Sequence, residues 1–425
     1  MLDKLGYQNV LILGLGREGL STFKFFQKNY PQIKLTLADK DKSKKFKAST
    51  GVNFQLGKNY LKNLDKYDLI IRTPGIPLLP ELAKVKTKLS SQTKLFFDLC
   101  PAKIIGITGT KGKGTTSSLT YQIFKQAGLP VYLAGNIGTP MLPLLKKITK
   151  KDIVILELSS HQLEDLTKSP KYSVLLNIFP EHLDHFKNFQ EYQNAKAKIA
   201  KFQNSKDWFI YNADDPIVKK IALKSKARKI AVSLNKAPNI PNNPLIGKHN
   251  LYNIIAAIEI AKLFKVTDKN IFTAIKNFQT LPHRLEFVGI FKGITFYNDS
   301  QGTNPKATIA ALNSFNNIST LICGGYDRGG VSYNEVGKKI AEYGIKTLIL
   351  FPTTGNLIWS SVQKYTKKAP KHFLVNNMGQ AVKLAYENSP KNTVCILSPS
   401  SASFGIFTDY ADRGNQFKYW VKKLS

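Results

Sequence analysis

The stretch Gly106-Ile107-Thr108-Gly109-Thr110-Lys111-Gly112-Lys113-Gly114-Thr115-Thr116 decides the fold. Its first residues close the apolar run 104–107, which is typical of a buried strand, and a predicted helix begins near Thr115. Glycines allow backbone N–H groups to turn toward phosphate oxygens, and the N-terminus of the following helix adds a field that favours anions. The stretch therefore predicts a nucleotide phosphate loop at the end of a parallel strand.

The side chains of this loop have the chemistry that a nucleotide triphosphate requires. Lys113 is predicted to lie over the β and γ phosphates, and a hydroxyl of Thr115 or Thr116 is predicted to reach Mg²⁺. In the strict phosphate-loop pattern a Ser or Thr follows the Lys directly, whereas Gly114 intervenes here. A glycine-rich turn without a ligand is the alternative, and the strand–helix context favours the nucleotide. The predicted nucleotide contacts are Gly109, Thr110, Lys111, Gly112, Lys113, Gly114, Thr115 and Thr116.

Apolar runs and amphipathic stretches alternate on both sides of the loop, which predicts α/β domains with mainly parallel sheets. Strands are expected at 9–13, 34–38 and 69–72 before the loop. Strand-and-helix patterns restart near residues 103 and 282. We therefore expect three domains, 1–100, 101–281 and 282–425. The first and last are predicted to be Rossmann-like, and the central one to be a parallel sheet of the P-loop ATPase type.

A second glycine motif, Gly14-x-Gly16-x-x-Gly19, follows the first predicted strand. It is similar to a dinucleotide fingerprint, and Asp39 ends the next strand, where a ribose contact is expected. Alone it suggests NAD. Because another nucleotide loop lies about one domain further on, this turn is also compatible with a different nucleotide or with a purely structural role.

Two further polar residues follow strands after the phosphate loop. Glu157 ends the apolar run 153–156, and His182 follows the predicted strand 174–178. The carboxyl ends of parallel strands meet at one crevice, so these side chains are expected near the loop. A carboxylate suits Mg²⁺, whereas a histidine is a less usual ligand for it. Zinc at His182, Asp184 and His185 is disfavoured because no suitably spaced further ligand follows.

The composition limits the classes of protein that the chain can belong to. Of its 425 residues 43% are hydrophobic, and the formal net charge is +34. The lysines are spread over the whole chain, so a general lysine bias explains the charge better than nucleic-acid or membrane binding. No apolar run is long enough to cross a bilayer, and the three cysteines show no paired spacing. These features predict a cytoplasmic globular protein without nucleic-acid or membrane partners.

Nine segments, taken in order, resemble the motifs of the Mur ligases. Four lie before residue 165: TPGIP at 73–77, GTKGK at 109–113, GNIG at 135–138 and ELSSHQLE at 157–164. The others are 177–184, GKHNLYN at 247–253, LPHR at 281–284, NDS at 298–300 and the segment 397–414. His161 stands where the family has Phe, and Glu181 where it has Asp. Because the segments span nearly the whole chain in family order, the resemblance is specific.

The resemblance implies an ATP-dependent amide-bond ligase of peptidoglycan synthesis that needs Mg²⁺ and acts as a monomer. Its substrates are expected to be UDP-N-acetylmuramoyl-L-alanine and glutamate. ATP is expected to convert the substrate carboxylate into an acyl phosphate, which the amine of glutamate then attacks. The first domain is expected to hold the UDP end of the substrate, so its glycine turn serves uridine diphosphate and not NAD. The implied UDP-substrate residues are Arg17, Glu18, Asp39, Thr73, Gly75, Asn136 and Ser159.

The resemblance also assigns the metal and nucleotide residues. Thr115, Glu157, His182 and Lys196 are expected to hold Mg²⁺, with Lys196 carried as a carbamate that offers two oxygen ligands. A solvated helix lysine, like Lys198 or Lys201, is the alternative for Lys196. With Lys113, the catalytic set is then Glu157, His182 and Lys196. Further contacts to ATP are expected from Asn250, Asn253, Arg284 and Asp299.

The amino-acid site departs from the family pattern. Gln301 and Gly302 stand where the family has Lys and Ala, while Thr303 and Asn304 are retained. Arg328 is expected to supply a guanidinium for a carboxylate of glutamate, and the implied pocket consists of Thr303, Arg328, Ser403 and Phe404. D-Glutamate is expected, and a related ligase for L-glutamate remains the alternative. A folate-polyglutamating ligase would lack the first domain, and a basic nucleic-acid-binding ATPase would not explain the ordered motifs.

Overall fold

The structure is a computed structural model that describes residues 6–44, 51–236, 238, 240, 243–366 and 368–425. The chain divides into two compact units, one of residues 1–240 with 252–276 and the other of 241–251 with 277–425. In the part of the chain that the structure describes, three sheets form the framework, two in the first unit and one in the second. A helix follows most of the strands. The predicted three-domain α/β class is thereby confirmed.

The first sheet has the order β3-β2-β1-β4-β5, and its strands are parallel. The strands are β1 (Asn9–Leu13), β2 (Lys34–Asp39), β3 (Val52–Leu56), β4 (Leu69–Arg72) and β5 (Leu89–Ser90). The helices are α1 (Arg17–Asn29), α2 (Pro80–Lys84) and α3 (Gln92–Leu99). Phe23, Phe25 and Phe26 of α1 are buried against the sheet. The strands expected at 9–13, 34–38 and 69–72 are observed as β1, β2 and β4, and α1 begins directly after Gly16.

The second sheet has the order β11-β10-β9-β6-β8-β7 and is also parallel. Its strands are β6 (Lys103–Thr108), β7 (Val131–Gly135), β8 (Ile153–Glu157), β9 (Tyr172–Leu175), β10 (Trp208–Asn212) and β11 (Arg228–Val232). The helices are α4 (Lys113–Gln126), α5 (Met141–Leu144), α6 (Ser160–Leu163), α7 (Phe189–Lys201), α8 (Pro216–Lys224), α9 (Lys248–Leu263) and α10 (Asp268–Lys276). The central position of β6, between β9 and β8, brings the carboxyl ends of these three strands together.

Two expected boundaries in this sheet are wrong by a few residues. The helix after the phosphate loop begins at Lys113, two residues before Thr115. The strand expected at 174–178 runs from Tyr172 to Leu175. Leu176 N still donates to the Thr108 carbonyl of β6 at 3.0 Å, but the next two residues have other partners: Thr110 N donates to the Asn177 carbonyl at 2.8 Å, and Ile178 N to Asp215 Oδ2 at 2.9 Å.

The first and second sheets share a hydrophobic core. It contains Phe26 of α1, Phe96 of α3, Leu142 of α5 and Ile199 of α7, all of them fully buried. The predicted domain boundary near residue 100 falls between α3 and β6, but the buried contacts hold the two sheets in one compact unit. Side chains that pack on the two sheets therefore meet in the interior of this unit.

The second unit is built on one six-stranded sheet with the order β12-β13-β17-β14-β15-β16. The strands are β12 (Glu286–Phe291), β13 (Ile294–Asn298), β14 (Ile318–Gly324), β15 (Thr347–Phe351), β16 (Lys371–Leu374) and β17 (Val394–Leu397). The helices are α11 (Pro305–Leu312), α12 (Asn334–Tyr343), α13 (Thr354–Tyr365), α14 (Met378–Asn388) and α15 (Tyr410–Lys423). β12 and β13 are antiparallel, and the other pairs are parallel. The carboxyl ends of β13, β17 and β14 consequently share one edge. No helix in the described part of the chain has the length and apolarity to span a membrane.

Candidate active site

The phosphate loop joins β6 to α4 and is held by residues on neighbouring elements. Gly112 has φ +87°, and a Cβ there would lie 2.3 Å from Asn253 Oδ1, so both the backbone angle and the space require glycine. Asn177 accepts a hydrogen bond from Lys111 N at 2.9 Å and donates to the Lys111 carbonyl at 3.1 Å. Thr116 Oγ1 donates to Asn253 Oδ1 at 3.2 Å. These contacts fix a loop whose helix N-terminus favours an anion.

Two lysine side chains converge on this loop. Lys113 Nζ donates to the carbonyls of Gly109 and Thr110 at 2.9 and 3.0 Å. Lys196 Nζ, from α7, donates to the same Gly109 carbonyl at 2.9 Å. Lys196 is only 1% exposed, and burial, with a smaller effect from Lys113, lowers its pKa well below the ordinary value. Its burial argues against a solvated helix lysine and favours the neutral form of the amine beside the loop.

Tyr192 is a residue of this region that the sequence interpretation missed. It lies one helical turn before Lys196, and Lys196 Nζ stands 5.0 Å from the centre of its ring. Its hydroxyl is 2.9 Å from Thr110 Oγ1 in the loop. The i,i+4 spacing of the two residues on a helix is the signal that placed them on one face.

Glu157 ends β8 beside the loop strand β6, as its position in the sequence predicts. It is 1% exposed, and Asn136 Nδ2 donates to its Oε1 at 2.9 Å. Its other oxygen, Oε2, is buried and has no hydrogen-bond partner. A buried carboxylate oxygen without a donor is costly, and a cation would satisfy it. Glu157 therefore fits the role of a Mg²⁺ ligand.

His182 lies on the loop that follows β9, with φ +58°. Its ring is 4.8 Å from that of His161, measured between centroids, and loss of water around it lowers its pKa. The imidazole is thus neutral at neutral pH, as metal binding requires. In the described part of the chain, no three His, Cys, Asp or Glu side chains form a group that could hold a metal.

A cavity of about 670 Å³ lies at the carboxyl edge of the first sheet. Six of the seven residues expected to bind the UDP substrate line it: Arg17, Glu18, Asp39, Thr73, Gly75 and Asn136. The sequence interpretation missed other lining residues, among them Lys40, Lys44 and Tyr60. The volume is typical of small-molecule sites, and the lysines favour an anionic ligand.

The glycine turn beside this cavity is shaped by contact with the chain around it. A Cβ at Gly19 would lie 1.9 Å from the Gly14 carbonyl oxygen, and one at Gly14 would lie 2.0 Å from Thr73 Oγ1. Asp39 Oδ2 accepts from Leu15 N at 2.7 Å and from Lys44 Nζ at 3.1 Å. Burial raises the pKa of Asp39, but these hydrogen bonds and that of Asp41 N outweigh it and lower the pKa overall. Asp39 is thus ionised and holds the turn.

Ser159 does not line the cavity. Its contact with the first glycine turn is indirect, because it holds Gln162 in place. It caps α6, accepting from Gln162 N at 3.2 Å, while Ser159 N donates to Gln162 Oε1 at 3.1 Å. Gln162 Nε2 then donates to Glu18 Oε1 at 2.6 Å. Arg17 Nη2 donates to the Gly138 carbonyl at 2.7 Å. The first glycine turn is therefore fastened to the elements that carry Asn136 and Glu157.

The predicted nucleotide residues on α9 are both buried. Asn253 meets the phosphate loop through Thr116, and Asn250 Nδ2 donates to the Ile246 carbonyl at 2.7 Å. In the second unit, Arg284 Nε donates to Gln301 Oε1. Asp299 is buried at the end of β13, and burial raises its pKa to about 7 although Ser398 Oγ donates to it at 2.8 Å.

Gln301 and Gly302, the two departures from the family pattern, have physical reasons in this unit. Gln301 replaces a cation and accepts a hydrogen bond from Arg284, a contact that a lysine could not make. A Cβ at Gly302 would lie 2.5 Å from Asp299 Oδ2, so an alanine would require Asp299 to move. Gln301 and Gly302 therefore fit the observed positions of Arg284 and Asp299.

The predicted amino-acid residues lie in loops of the second unit. Arg328 follows β14, Ser403 and Phe404 follow β17, and the Arg328 guanidinium stands 5.7 Å from the centre of the Phe404 ring. Tyr326, which sequence reasoning missed, packs its ring edge-on against Phe404 at 6.0 Å between centroids. Thr303 precedes α11 after β13, at the same edge of the sheet.

Arg413 is a second residue to which the sequence assigned no role, although it lies in the segment 397–414 that resembles a family motif. It is fully buried, and its guanidinium donates to the Ser300 carbonyl at 2.8 Å and to the Ser401 and Ala402 carbonyls at 3.1 and 3.2 Å. Burial lowers its pKa to about 9. Arg413 thus binds together the loops that carry Asp299 and Ser403.

Comparisons with known proteins identify related families and chains. The family of Mur ligase MurD-like N-terminal domains matches residues 8–90, and that of Mur ligase middle domains matches 107–240. The UDP-N-acetylmuramoylalanine–D-glutamate ligases of Acetivibrio thermocellus and Clostridium botulinum are 34% and 35% identical to this chain. Each alignment covers 99% of this chain, and 97% and 98% of the two relatives.

Solved structures with low sequence identity share the fold. MurF of Acinetobacter baumannii is 16% identical with a TM-score of 0.63, covering 97% of this chain and 90% of its own. The UDP-N-acetylmuramate-alanine ligase MurC of Thermotoga maritima is 15% identical with a TM-score of 0.61, covering 99% of this chain and 100% of its own. The Mur ligase domains and the relatives that match over nearly the whole chain define this protein as an ATP-dependent amide ligase. The chain belongs to the Mur ligase family.

We predict a specific pH dependence of stability from Asp299. Its pKa is about 7 in the folded chain, against an ordinary value of about 4. Between these pH values the folded state binds more protons than the unfolded state, so this group lowers the free energy of unfolding as the pH rises. Urea unfolding at pH 4.5 and pH 7 should therefore show a smaller decline with pH in Asp299→Asn than in the wild type.

The exposed Asp268 supplies the matched control, because Asp268→Asn should keep the pH dependence of the wild type. Equal pH dependence in Asp299→Asn and the wild type would show that Asp299 is ionised in the folded protein at the lower pH.

Proposed function

We propose that this chain adds D-glutamate to UDP-N-acetylmuramoyl-L-alanine with the consumption of ATP, a step of peptidoglycan synthesis. The observation that carries the proposal is the 34–35% identity, over 99% of the chain, to relatives named UDP-N-acetylmuramoylalanine–D-glutamate ligase. The geometry supports it, because a nucleotide phosphate loop and a cavity for an anionic small molecule lie in the same compact unit.

The reaction joins a carboxylate to an amine in two steps. The terminal carboxylate oxygen of the alanyl group attacks the γ-phosphorus of ATP, so that an acyl phosphate forms and ADP leaves. The neutral amine of glutamate then attacks the acyl carbon, and the tetrahedral intermediate expels phosphate as the amide forms and the nitrogen loses its proton. Both steps bring anions together, so the protein must align them and neutralise their charge.

The proposed role of each residue in the first unit follows from its position. Arg17, Glu18, Asp39, Thr73 and Gly75 line the cavity and are assigned to the UDP end of the substrate. Asn136 lines the cavity and also donates to Glu157, so it is assigned to the part of the substrate nearest the reaction. Lys113 is proposed to exchange its present carbonyl partners for the transferring phosphoryl group.

Thr115, Glu157, His182 and a carbamylated Lys196 are proposed to hold Mg²⁺. When bound, Mg²⁺ would neutralise charge on the phosphate oxygens during transfer. The unpartnered Oε2 of Glu157 and the buried, depressed-pKa amine of Lys196 are the features that support this assignment. The Lys196 amine, being neutral, can attack CO₂ and lose a proton, and the resulting carbamate presents two oxygens.

The second unit is proposed to hold the incoming glutamate. Arg328 is assigned to one carboxylate, and Thr303, Ser403 and Phe404 complete the proposed pocket. Asn250, Asn253, Arg284 and Asp299 are assigned to ATP by the resemblance.

We also propose the domain limits 1–100, 101–281 and 282–425, with the domains serving the UDP substrate, ATP and glutamate in that order. The three unpaired cysteines support a reducing, cytoplasmic location. A monomer without nucleic-acid or membrane partners completes the proposal.

The direct test is an assay of the purified protein for phosphate release. With ATP, Mg²⁺ and UDP-N-acetylmuramoyl-L-alanine present, D-glutamate should release phosphate and yield the amide product, and omission of any substrate should stop product formation. L-Glutamate is the matched control. Preference for L-glutamate would overturn the stereochemical assignment, and inactivity with both enantiomers would overturn the proposed function.

Lys196→Ala should lower kcat by about two to three orders of magnitude, because it removes a charge-organising ligand from the site. Added short-chain carboxylic acids should restore part of the activity by replacing the carbamate oxygens. Lys201→Ala is the matched control, since Lys201 lies exposed at the end of the same helix. A Lys196→Ala enzyme as active as Lys201→Ala would refute the carbamate assignment.

Arg328→Ala should raise the KM for D-glutamate by about one to two orders of magnitude, since a lost charged hydrogen bond costs about 1.5 to 3 kcal/mol. The KM values for ATP and the UDP substrate should change far less. Lys338→Ala, an exposed cation on α12 of the same unit, should leave all three values unchanged. An unaltered KM for glutamate in Arg328→Ala would exclude Arg328 from the pocket.

A further inference from the structure

Arg72 is a buried cation beside the cavity at the carboxyl edge of the first sheet. We call this cavity the UDP-type cavity, because we assign it to the UDP end of the substrate. Arg72 ends β4 and directly precedes the turn of residues 73–77, which lines the cavity. Its side chain is 0% exposed. Neither the family resemblance nor the proposed mechanism gives it a role, and a buried guanidinium needs a reason to be there, because removing it from water is costly.

The guanidinium of Arg72 faces in two directions. Nη1 donates to the carbonyl of Ile76, at the far side of the cavity turn. Nε and Nη2 donate to the two oxygens of Asp165 at 3.2 and 2.7 Å, and Nη2 also donates to Glu164 Oε2 at 2.8 Å. Both carboxylates follow α6, the helix that Ser159 caps. The planar guanidinium thus links the turn that lines the cavity to the segment after α6 with fixed geometry.

Glu164 continues the connection toward the proposed metal loop. The oxygen that accepts from Arg72 is also 3.3 Å from His185 Nε2. Burial raises the pKa of Glu164, but the hydrogen bond from His185 and the charge of Arg72 lower it overall to about 2. Glu164 therefore remains an anion that both neighbours share.

From His185 the contacts reach His182. The ring of His161 packs edge-on against that of His185 at 4.2 Å between centroids, and against that of His182 at 4.8 Å. The backbone also joins the two ends, because His185 N donates to the His182 carbonyl at 3.1 Å. A continuous series of contacts, which we call the Arg72 relay, therefore runs from Ile76 through Arg72, Glu164 and His185 to His182.

We infer that Arg72 and Glu164 are positioning residues that couple the UDP-type cavity to the loop of His182. This inference rests on the proposed function, because it takes the cavity as the UDP-substrate site and His182 as part of the Mg²⁺–nucleotide site. A substrate that contacts the turn at 73–77 restrains Ile76 and Arg72, which restrain Glu164 and His185 in turn. The second ligand then meets a loop that is already ordered, so each ligand tightens the binding of the other.

A purely structural ion pair makes a different prediction. It would contribute to the stability of the unit and leave the two ligands independent of each other. The test must therefore measure the coupling between ligands, which loss of stability alone does not change.

Calorimetry on the full chain measures this coupling. The affinity for UDP-N-acetylmuramoyl-L-alanine is determined alone and with saturating Mg²⁺ and a non-hydrolysable ATP analogue. In the wild type the analogue should tighten binding by about five-fold or more, the lower end of typical coupling between sites. In Glu164→Gln and in Arg72→Met the tightening should fall below about two-fold, while Arg72→Lys, which keeps the charge without the planar fork, should retain part of it.

Arg228→Met is the matched control, because Arg228 lies exposed in the same unit and stacks on Trp208. It should keep the wild-type coupling. Since Arg72→Met leaves two buried carboxylates unpaired and can fail to fold, Glu164→Gln, which keeps the side-chain shape, is the deciding variant. Wild-type coupling in Glu164→Gln, or no coupling in the wild type, overturns the inference. Absence of any binding of the UDP compound to the wild type instead overturns the proposed function.

Discussion

The carbonyl oxygen of Gly109 accepts hydrogen bonds from two lysines, and the arrangement of the site depends on this contact. Two neighbouring ammonium groups at one buried carbonyl disfavour each other's charge. Lys113 is partly exposed, whereas Lys196 is buried, and burial, with a smaller effect from Lys113, lowers the pKa of Lys196. The arrangement that favours an anion at the loop therefore also favours the neutral form of the Lys196 amine.

The end of β8 serves both halves of the first unit. One carboxylate oxygen of Glu157 is buried without a hydrogen-bond partner, and the other receives the Asn136 amide that also lines the UDP-type cavity. A few residues later, Gln162 reaches Glu18 of the first glycine turn. Because β8 also pairs with β6, the strand that leads into the phosphate loop, the two glycine loops are connected through β8 and the helix that follows it.

The strand–turn–helix order, the two glycine loops and the strand-end position of Glu157 could be predicted from sequence, because each depends on local periodicity or on glycine stereochemistry. The roles of Asn177, Gln162 and Arg72 could not. Asn177 holds the backbone of Lys111, and Arg72 meets Glu164 and Asp165 more than 90 positions away. Such contacts depend on which strands become neighbours, and no local pattern specifies the order β9-β6-β8. For the same reason β9 ends early, since the backbone groups of Asn177 and Ile178 find their partners in the phosphate loop and at Asp215.

Gln301 and Gly302 illustrate how a departure from a family pattern should be judged. Considered from the sequence alone, the loss of a lysine at position 301 and of a methyl group at position 302 suggests a defective amino-acid site. In the structure the Gln301 side chain accepts from Arg284, and the missing methyl of Gly302 leaves space for Asp299. Both changes therefore act on the local packing of Arg284 and Asp299. Arg328, which we propose as the cation for glutamate, lies on another loop of the unit, with its guanidinium 5.7 Å from the centre of the Phe404 ring. The two substitutions thus have a local explanation around Arg284 and Asp299, and the proposed cation for glutamate is a separate residue.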